Sequence, residues 1–166
     1  MEKELPKRKP VRLHNFDYGR SGVYFITVCV EKRKNILSKI VGEGSPLPQL
    51  TEYGMIVDGW IKRISEKYQE VSVSTYVIMP NHIHLLLIVE NDGGRGNPSP
   101  TVNNAIGWLK YHWTKDINQK QGTAGEKVFQ RSFHDHIIRN VDDYNEIYRY
   151  VCENPRRWKL DKLYSE

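Results

Sequence analysis

The sequence predicts an α+β fold of the ferredoxin-like or RNA-recognition-like kind. This is an antiparallel four-stranded sheet with helices on one face and one further helix at the C-terminus. Three observations carry this. Stretches rich in β-branched and aromatic residues recur at 23–30, 71–79, 82–89 and 128–138. Apolar residues recur at helical spacing between the first and second of these, and again between the third and fourth. The resulting order, β-α-β-β-α-β, is that of two split βαβ units. No internal repeat is visible.

Taken in order, residues 1–12 read as a basic tail. Val23-Tyr24-Phe25-Ile26-Thr27-Val28-Cys29-Val30 is the first strand. Lys34 to Gln49, with Gly42, Gly44, Pro46 and Pro48, reads as a loop with a short strand near Ile40. Thr51 and Glu52 start a helix in which Ile56, Trp60, Ile61 and Ile64 repeat to about Lys67. Val71 to Met79 is the second strand, and Pro80-Asn81 turns the chain into the third, His82 to Val89. Residues 91–101, rich in glycine, form a flexible loop.

Ile106, Leu109, Trp113 and Ile117 then define a helix from Val102 to Asn118, weakened by Gly107. A second flexible loop covers 118–127, and Val128 to Ile138 is the fourth strand. The last helix runs from Asp142 to Asn154. It is expected to stop there, because a residue before proline is pushed out of helical geometry. Pro155 to Leu160 adds a turn.

At 166 residues the chain fits one domain over 1–166, large enough to bury roughly 70% of its unfolded surface. No apolar run approaches the ~20 residues of a membrane span, and the N-terminus lacks the apolar core of a secretory signal. Cys29 and Cys152 form no CxxC, which suits a reducing cytoplasm. The net charge of +5 is unevenly spread. Lys7, Arg8, Lys9 and Arg12 precede the first strand, Lys32, Arg33 and Lys34 follow it, and Arg156, Arg157, Lys159 and Lys162 crowd the C-terminus. Tyr18, Tyr24, Tyr148 and Trp158 sit near these clusters. Cations with aromatics suit a phosphate backbone with unstacked bases. A solvated basic surface is the other reading of the same pattern.

Two positions stand out chemically. His82 and His84, one residue apart on a strand, point to the same face, while Ile83 turns to the core with Leu85 and Leu87. That is a potential metal pair, or two histidines satisfied within a sheet. On the last helix Tyr144, Ile147, Tyr148 and Val151 follow the stripe of a core-packing face. Tyr150 lies off that stripe, among Asp143, Glu146, Glu153 and Asn154. Asn154 is one turn beyond it, about 5–6 Å away at Cβ.

Several pieces occur together in order. They are Asp17-Tyr18, Tyr24-Phe25-Ile26-Thr27-Val28-Cys29, Leu50-Thr51-Glu52-Tyr53-Gly54 and Val77-Ile78-Met79-Pro80-Asn81-His82-Ile83-His84. Two more are Phe129-Gln130-Arg131-Ser132-Phe133-His134-Asp135-His136-Ile137-Ile138-Arg139-Asn140 and Tyr150-Val151-Cys152-Glu153-Asn154-Pro155. Spanning nearly the whole chain, they resemble the single-tyrosine HUH transposases, most closely the branch like the REP-associated tyrosine transposases.

The resemblance implies a metal-dependent single-stranded DNA endonuclease and strand transferase working through a 5′-phosphotyrosine. It makes Tyr150 the nucleophile, and His82 and His84 the ligands of Mg²⁺ or Mn²⁺. Asn154 takes the place of the third ligand. The partner implied is single-stranded DNA with a hairpin or palindromic repeats, and the family contains both homodimers and monomers. His134, Asp135, His136, Glu146 and Glu153 are the residues expected to support the site or carry protons. Arg8, Lys9, Arg12, Arg131, Arg139, Arg156 and Arg157 are the cations expected to meet DNA. Two imidazoles and an amide bring no charge, so weak Mg²⁺ binding without DNA is expected.

Two other classes compete. His134-Asp135-His136 repeats the HxH spacing, and four histidines with Asp135 could build a zinc or iron hydrolase centre. Alternatively, the sheet serves a non-catalytic protein that binds single-stranded nucleic acid. The glycine-aromatic signature of an RNA-recognition strand is missing.

Overall fold

The computed structural model describes residues 22–42, 47–90 and 102–166. The basic tail 1–12 and the loop 91–101 lie outside the described residues. Strands β1 (Gly22–Cys29), β4 (Val71–Ile78), β5 (His82–Val89) and β6 (His134–Ile138) form one sheet in the order β4-β5-β1-β6, each antiparallel to its neighbours. This is the expected ferredoxin-like order. A two-stranded ribbon, β2 (Ser38–Lys39) with β3 (Gln49–Leu50), supplies the short strand read near Ile40.

Register decides what each face carries. Thr27 pairs with His84 and Val28 with Ile83, so directly opposed residues share a face. Tyr24, Ile26, Val28, Ile83, Leu85 and Leu87 turn to the main core. There they meet Val57 and Ile61 of α1 (Glu52–Lys62) and Ala105, Ile106, Leu109 and Trp113 of α3 (Val102–Gln121). Phe25, Thr27, His82 and His84 occupy the opposite face. Helix α4 (Val141–Glu153) lies over that face, where Val151 and Trp158 bury themselves against Val77 and Met79. Helices on both sides explain why β5 is apolar almost throughout, as a strand buried on both faces must be.

The start of α1 is fastened to the turn that leads into β5. Thr51 caps the helix by accepting from the Gly54 amide at 3.2 Å, and its hydroxyl points to the carbonyls of Ile36 at 2.6 Å and Leu37 at 3.0 Å. The Leu37 amide in turn donates to the carbonyl of Pro80 at 3.0 Å. A helix cap thus steadies the residues just ahead of His82.

Several expectations are corrected. The first helix is not continuous to Lys67: Arg63 leaves helical geometry (φ −98°, ψ 0°), and α2 (Ile64–Lys67) restarts so that Ile64 reaches the core. Its guanidinium rests 4.6 Å over the Trp60 ring. Helix α3 runs to Gln121, into the span read as the 118–127 loop, and Gly122 ends it at φ 69°. The rest of that loop is laced: Asn118 donates to the Glu126 carbonyl at 2.7 Å. The fourth strand shrinks to His134–Ile138, with a single bridge from Val30 to Phe129 before it. The carbonyls of Gln130 and Arg131 accept from Lys110 Nζ rather than from a strand.

The final helix also departs from expectation. Asn154 keeps α-helical angles (φ −54°, ψ −43°) despite preceding Pro155, and a 3₁₀ segment, Asn154–Leu160, follows directly, kinked at Arg157 (φ −106°, ψ 19°). Pro155 sits in the first turn of that segment, where a missing N–H costs nothing. Tyr144 is only partly buried, its hydroxyl bonded to Ser74, and Tyr148 is 41% exposed. Ser74 sits at a register shift in β4 between Val73 and Thr75, and Ile147 and Val151 do the packing instead. No helix among the described residues is long and apolar enough to cross a membrane.

Candidate active site

The two histidines are buried completely, His82 at 0% and His84 at 2% exposure, with their Nε2 atoms 3.1 Å apart. The partner of each Nδ1 fixes how each ring is held. His82 Nδ1 lies 2.7 Å from Asn81 Oδ1, while Asn81 Nδ2 donates to the carbonyl of Leu163 at 2.8 Å and to Ser165 Oγ at 3.0 Å. Because a carbonyl can only accept, the Asn81 amide has one orientation, and His82 Nδ1 must carry the proton. Its Nε2 is left with a lone pair. His84 Nδ1 lies 2.8 Å from Thr27 Oγ1, a hydroxyl that can donate or accept. Burial holds both rings neutral. It pushes His82 from 6.5 to about 4, against the pull of Asp161, and sends His84 well below the usual value, helped by His82 beside it.

Tyr150 comes to this pair from α4. Its ring lies 5.4 Å from the His84 ring, between centroids, and edge-on to Phe25 at 6.0 Å. It is 38% exposed, the balance of a ring packed on the sheet with an open side. Burial raises its phenol pKa above 10, the Asp161 charge adds to that, and the Asn154 amide works the other way. Asn154, one turn further, is 3% exposed. Its Nδ2 donates to Asp161 Oδ2 at 2.9 Å, and its Oδ1 has no hydrogen-bond partner.

Asp161 was not singled out in the sequence. Its side chain is 1% exposed and its Oδ2 lies 3.9 Å from His82 Nε2. Among the described residues, His82, His84 and Asp161 offer ligand atoms all within 4.8 Å of one another. The signal available was the one acid inside the basic run from Arg156 to Lys162. The donor set fits a divalent cation: two imidazole nitrogens and a carboxylate converge in a buried spot, and Asn154, bonded to that carboxylate, has a buried amide oxygen without a partner.

An open groove of about 810 Å³ runs past these residues, lined among others by Tyr150, His84, Arg33, Arg157 and Lys162. Glu146, Glu153 and His134 also line it, and Glu153 pairs with Arg157 at 3.3 Å. His136 does not join them. It pairs with Asp143 at 3.0 Å, holding the start of α4 to the edge strand. Asp135 pairs with Ile26 across the strands and so faces the opposite side from the histidines. The four-histidine centre is therefore not assembled. Of the cations expected to meet DNA, Arg157 lines the groove, while Arg131, Arg139 and Arg156 are exposed elsewhere. Arg8, Lys9 and Arg12 lie outside the described residues.

Residues 21–154 match the family model described as IS200-like transposase. An uncharacterized protein of Haemophilus influenzae is 29% identical, covering 96% of this chain and 94% of its own length. A second protein of that organism, described as a candidate REP-associated tyrosine transposase, is 27% identical over 84% of this chain and 73% of its own. The fold is shared with a REP-associated tyrosine transposase bound to a REP hairpin (TM-score 0.56, 19% identity, 87% of this chain and 72% of that one). It is also shared with a candidate transposase from Deinococcus radiodurans (TM-score 0.50, 15% identity, 87% and 96%). The chain belongs to the IS200-like transposase family, with REP-associated tyrosine transposases among its relatives.

Proposed function

We propose that this protein cuts and rejoins single-stranded DNA beside a hairpin, with Tyr150 as the nucleophile and His82, His84 and Asn154 as ligands of Mg²⁺ or Mn²⁺. One observation carries the reading. The tyrosine that lies off its helix's core stripe rests against His84 in a groove that also holds Arg33, Arg157 and Lys162 beside the acids Glu146, Glu153 and Asp161, although it is remote in sequence. When bound, a divalent ion supplies Lewis-acid polarisation of the scissile phosphate.

The residues of the chain do the rest. Arg33, Arg157 and Lys162 bind the phosphate backbone along the groove. Tyr150 Oη forms a bond to phosphorus as the P–O3′ bond breaks, leaving a 5′-phosphotyrosine and a free 3′-hydroxyl. The phenol proton passes to a groove-lining group, with Glu146, Glu153 and His134 as the candidates, and the departing 3′-oxygen takes a proton from that group or from water. A DNA 3′-hydroxyl attacking the phosphotyrosine reverses the exchange and joins new ends, with tyrosine as leaving group. The DNA substrate is a hairpin-bearing strand, as bound by the REP-associated structural relative.

The test uses labelled single-stranded DNA carrying a hairpin, incubated with Mg²⁺ or Mn²⁺ and run under denaturing conditions. A protein–DNA adduct is expected for the unmodified protein and for Tyr148→Phe, and none for Tyr150→Phe. Cleavage that survives Tyr150→Phe would assign the chemistry to a His-ligated metal hydrolase. Binding without cleavage under either metal would make the protein a non-catalytic binder of single-stranded DNA.

A further inference from the structure

We infer that Asp161 is a ligand of the metal centre and that Asn154 positions it, so that the segment 161–165 completes the site. The inference rests on the reading of His82 and His84 as ligands and adds a charge to it. Asp161 is oriented by two donors. Asn154 Nδ2 bonds its Oδ2 at 2.9 Å, and the Leu163 amide bonds its Oδ1 at 2.7 Å. The segment that delivers it is itself fastened. Asn81 holds the Leu163 carbonyl and Ser165 Oγ, and Asn35 Nδ2 donates to the Ser165 carbonyl at 3.0 Å. Asn81 also orients His82, so one amide sets both a histidine and the segment bearing the carboxylate.

The decisive point is what faces what. His82 spends its Nδ1 proton on Asn81, so Nε2 presents a lone pair to His84 Nε2 at 3.1 Å and to Asp161 Oδ2 at 3.9 Å. Asn154 Oδ1, buried in the same place, has no donor. Electron-pair donors gathered without a positive partner repel one another, and the one without a donor, Asn154 Oδ1, carries the cost of its desolvation as well. A single proton between the two imidazoles settles one contact, and leaves the carboxylate with two amide donors but no ligand-strength counter-charge and the Asn154 amide oxygen with no hydrogen bond. A divalent cation settles all of them. The spacing agrees: two ligands of one ion at about 2.1 Å lie about 3.0 Å apart at a right angle and about 4.2 Å apart when opposite. Both measured separations fall in that range. Asn154 thus has two roles, Oδ1 toward the ion and Nδ2 toward Asp161.

The consequence is that the protein binds a divalent ion without DNA, because one ligand is anionic. Calorimetric titration of Mn²⁺ into the full chain without DNA tests this, with His82→Ala as the control for the underlying reading. One ion per chain is expected. Asp161→Asn keeps the shape and removes the charge, and should weaken binding about tenfold or more. Asn154→Ala removes both an oxygen aimed at the ion and the donor that orients Asp161, and should weaken it by at least the roughly 10–100-fold that losing the orienting bond alone costs. Asp161→Glu keeps the charge but displaces the oxygens, and should fall between the unmodified protein and Asp161→Asn. It decides the matter if Asp161→Asn does not fold. Mn²⁺ affinity within twofold of unmodified protein in both Asp161 variants, with loss in His82→Ala, would overturn Asp161 as a ligand and leave the histidines in place. No loss in His82→Ala would instead overturn the metal reading as a whole.

Discussion

Asn81 Oδ1 stands 2.7 Å from His82 Nδ1, and this contact determines which nitrogen of His82 faces the site. The same amide grips the C-terminal segment through Leu163 and Ser165. Asn81→Ala is therefore expected to act twice. Freed from its acceptor, the His82 ring can rotate or change tautomer, and Mn²⁺ affinity should fall by roughly 10–100-fold. Amide exchange at Leu163 should quicken as well, because its acceptor Asp161 belongs to the loosened segment. Calorimetry and hydrogen exchange read the two effects separately. Unchanged affinity with faster exchange would confine Asn81 to a structural role.

Acid should destabilise this fold through its two histidines. Burial disfavours their charged forms, and His82 is lowered from 6.5 to about 4. Unfolded, the ring takes its proton near pH 6.5. Between about pH 6.5 and 4 the unfolded chain therefore binds more protons, and stability falls as pH drops through that window. Above it both states are neutral and the ring adds no pH dependence. A shift of this size is worth about 3 kcal/mol at the acid end. Chemical denaturation at pH 7 and pH 4.5 should show a smaller acid loss in His82→Gln than in the unmodified protein. Equal losses would place the acid sensitivity on other groups.

The sheet, its strand order and the two-helix layer were legible because a period of two and a period of 3.6 leave direct marks in the order of residues. His82 and His84 were legible for the same reason, as alternation alone puts them on one face. Tyr150 was legible only through its misfit with the stripe of Ile147 and Val151. What period cannot reveal is a contact made by an irregular segment. Asp161 lies beyond the last regular helix and is held 3.9 Å from His82 by single hydrogen bonds that it accepts from Asn154 and Leu163. Tyr148 was misplaced in the core, because a helical stripe says which residues share a face but not how far along it the sheet extends. Lys110 takes up the carbonyls of Gln130 and Arg131, where the sequence pattern continues a strand, and no local pattern records such a contact.

Gly54 is a packing requirement of the first helix. A Cβ there would run into the carbonyl oxygen of Leu37 and crowd the Leu50 side chain. Backbone cannot yield as a flexible side chain does, and Leu37 is tied to Pro80, just before Asn81 and His82. Alanine is ordinarily the better helix former by about 1 kcal/mol. Here Gly54→Ala is expected to reverse that preference and cost on the order of 1–3 kcal/mol through strain. Urea denaturation gives the sign at once: a rise in the midpoint would mean that the helix start can shift freely.

Arg33 enters the groove from a strained turn. Lys32 and Arg33 both adopt left-handed backbone angles, φ 53° and 52°, at a cost of roughly 1–2 kcal/mol each for a residue with a side chain. Two such residues in succession persist because the turn is held from both sides. The Arg33 amide donates to the Val30 carbonyl at 3.0 Å, and its own carbonyl accepts from Ser165 Oγ at 3.2 Å. The arrangement sets a cation in the groove that Asp161 and Lys162 also line, along the path proposed for DNA. On a single strand, each phosphate neutralised contributes about 0.7 to the fall of log affinity with log salt. Arg33→Ala and Lys162→Ala should each reduce that slope by about 0.7 and weaken binding alike across sequences, whereas Arg139→Ala, outside the groove, should leave it unchanged. Lys32→Gly relieves strain without removing a groove cation, so it should raise stability by up to about 1 kcal/mol and keep the slope. A slope that drops for Arg139→Ala but not for Arg33→Ala would move the DNA path off this groove and onto the edge strand.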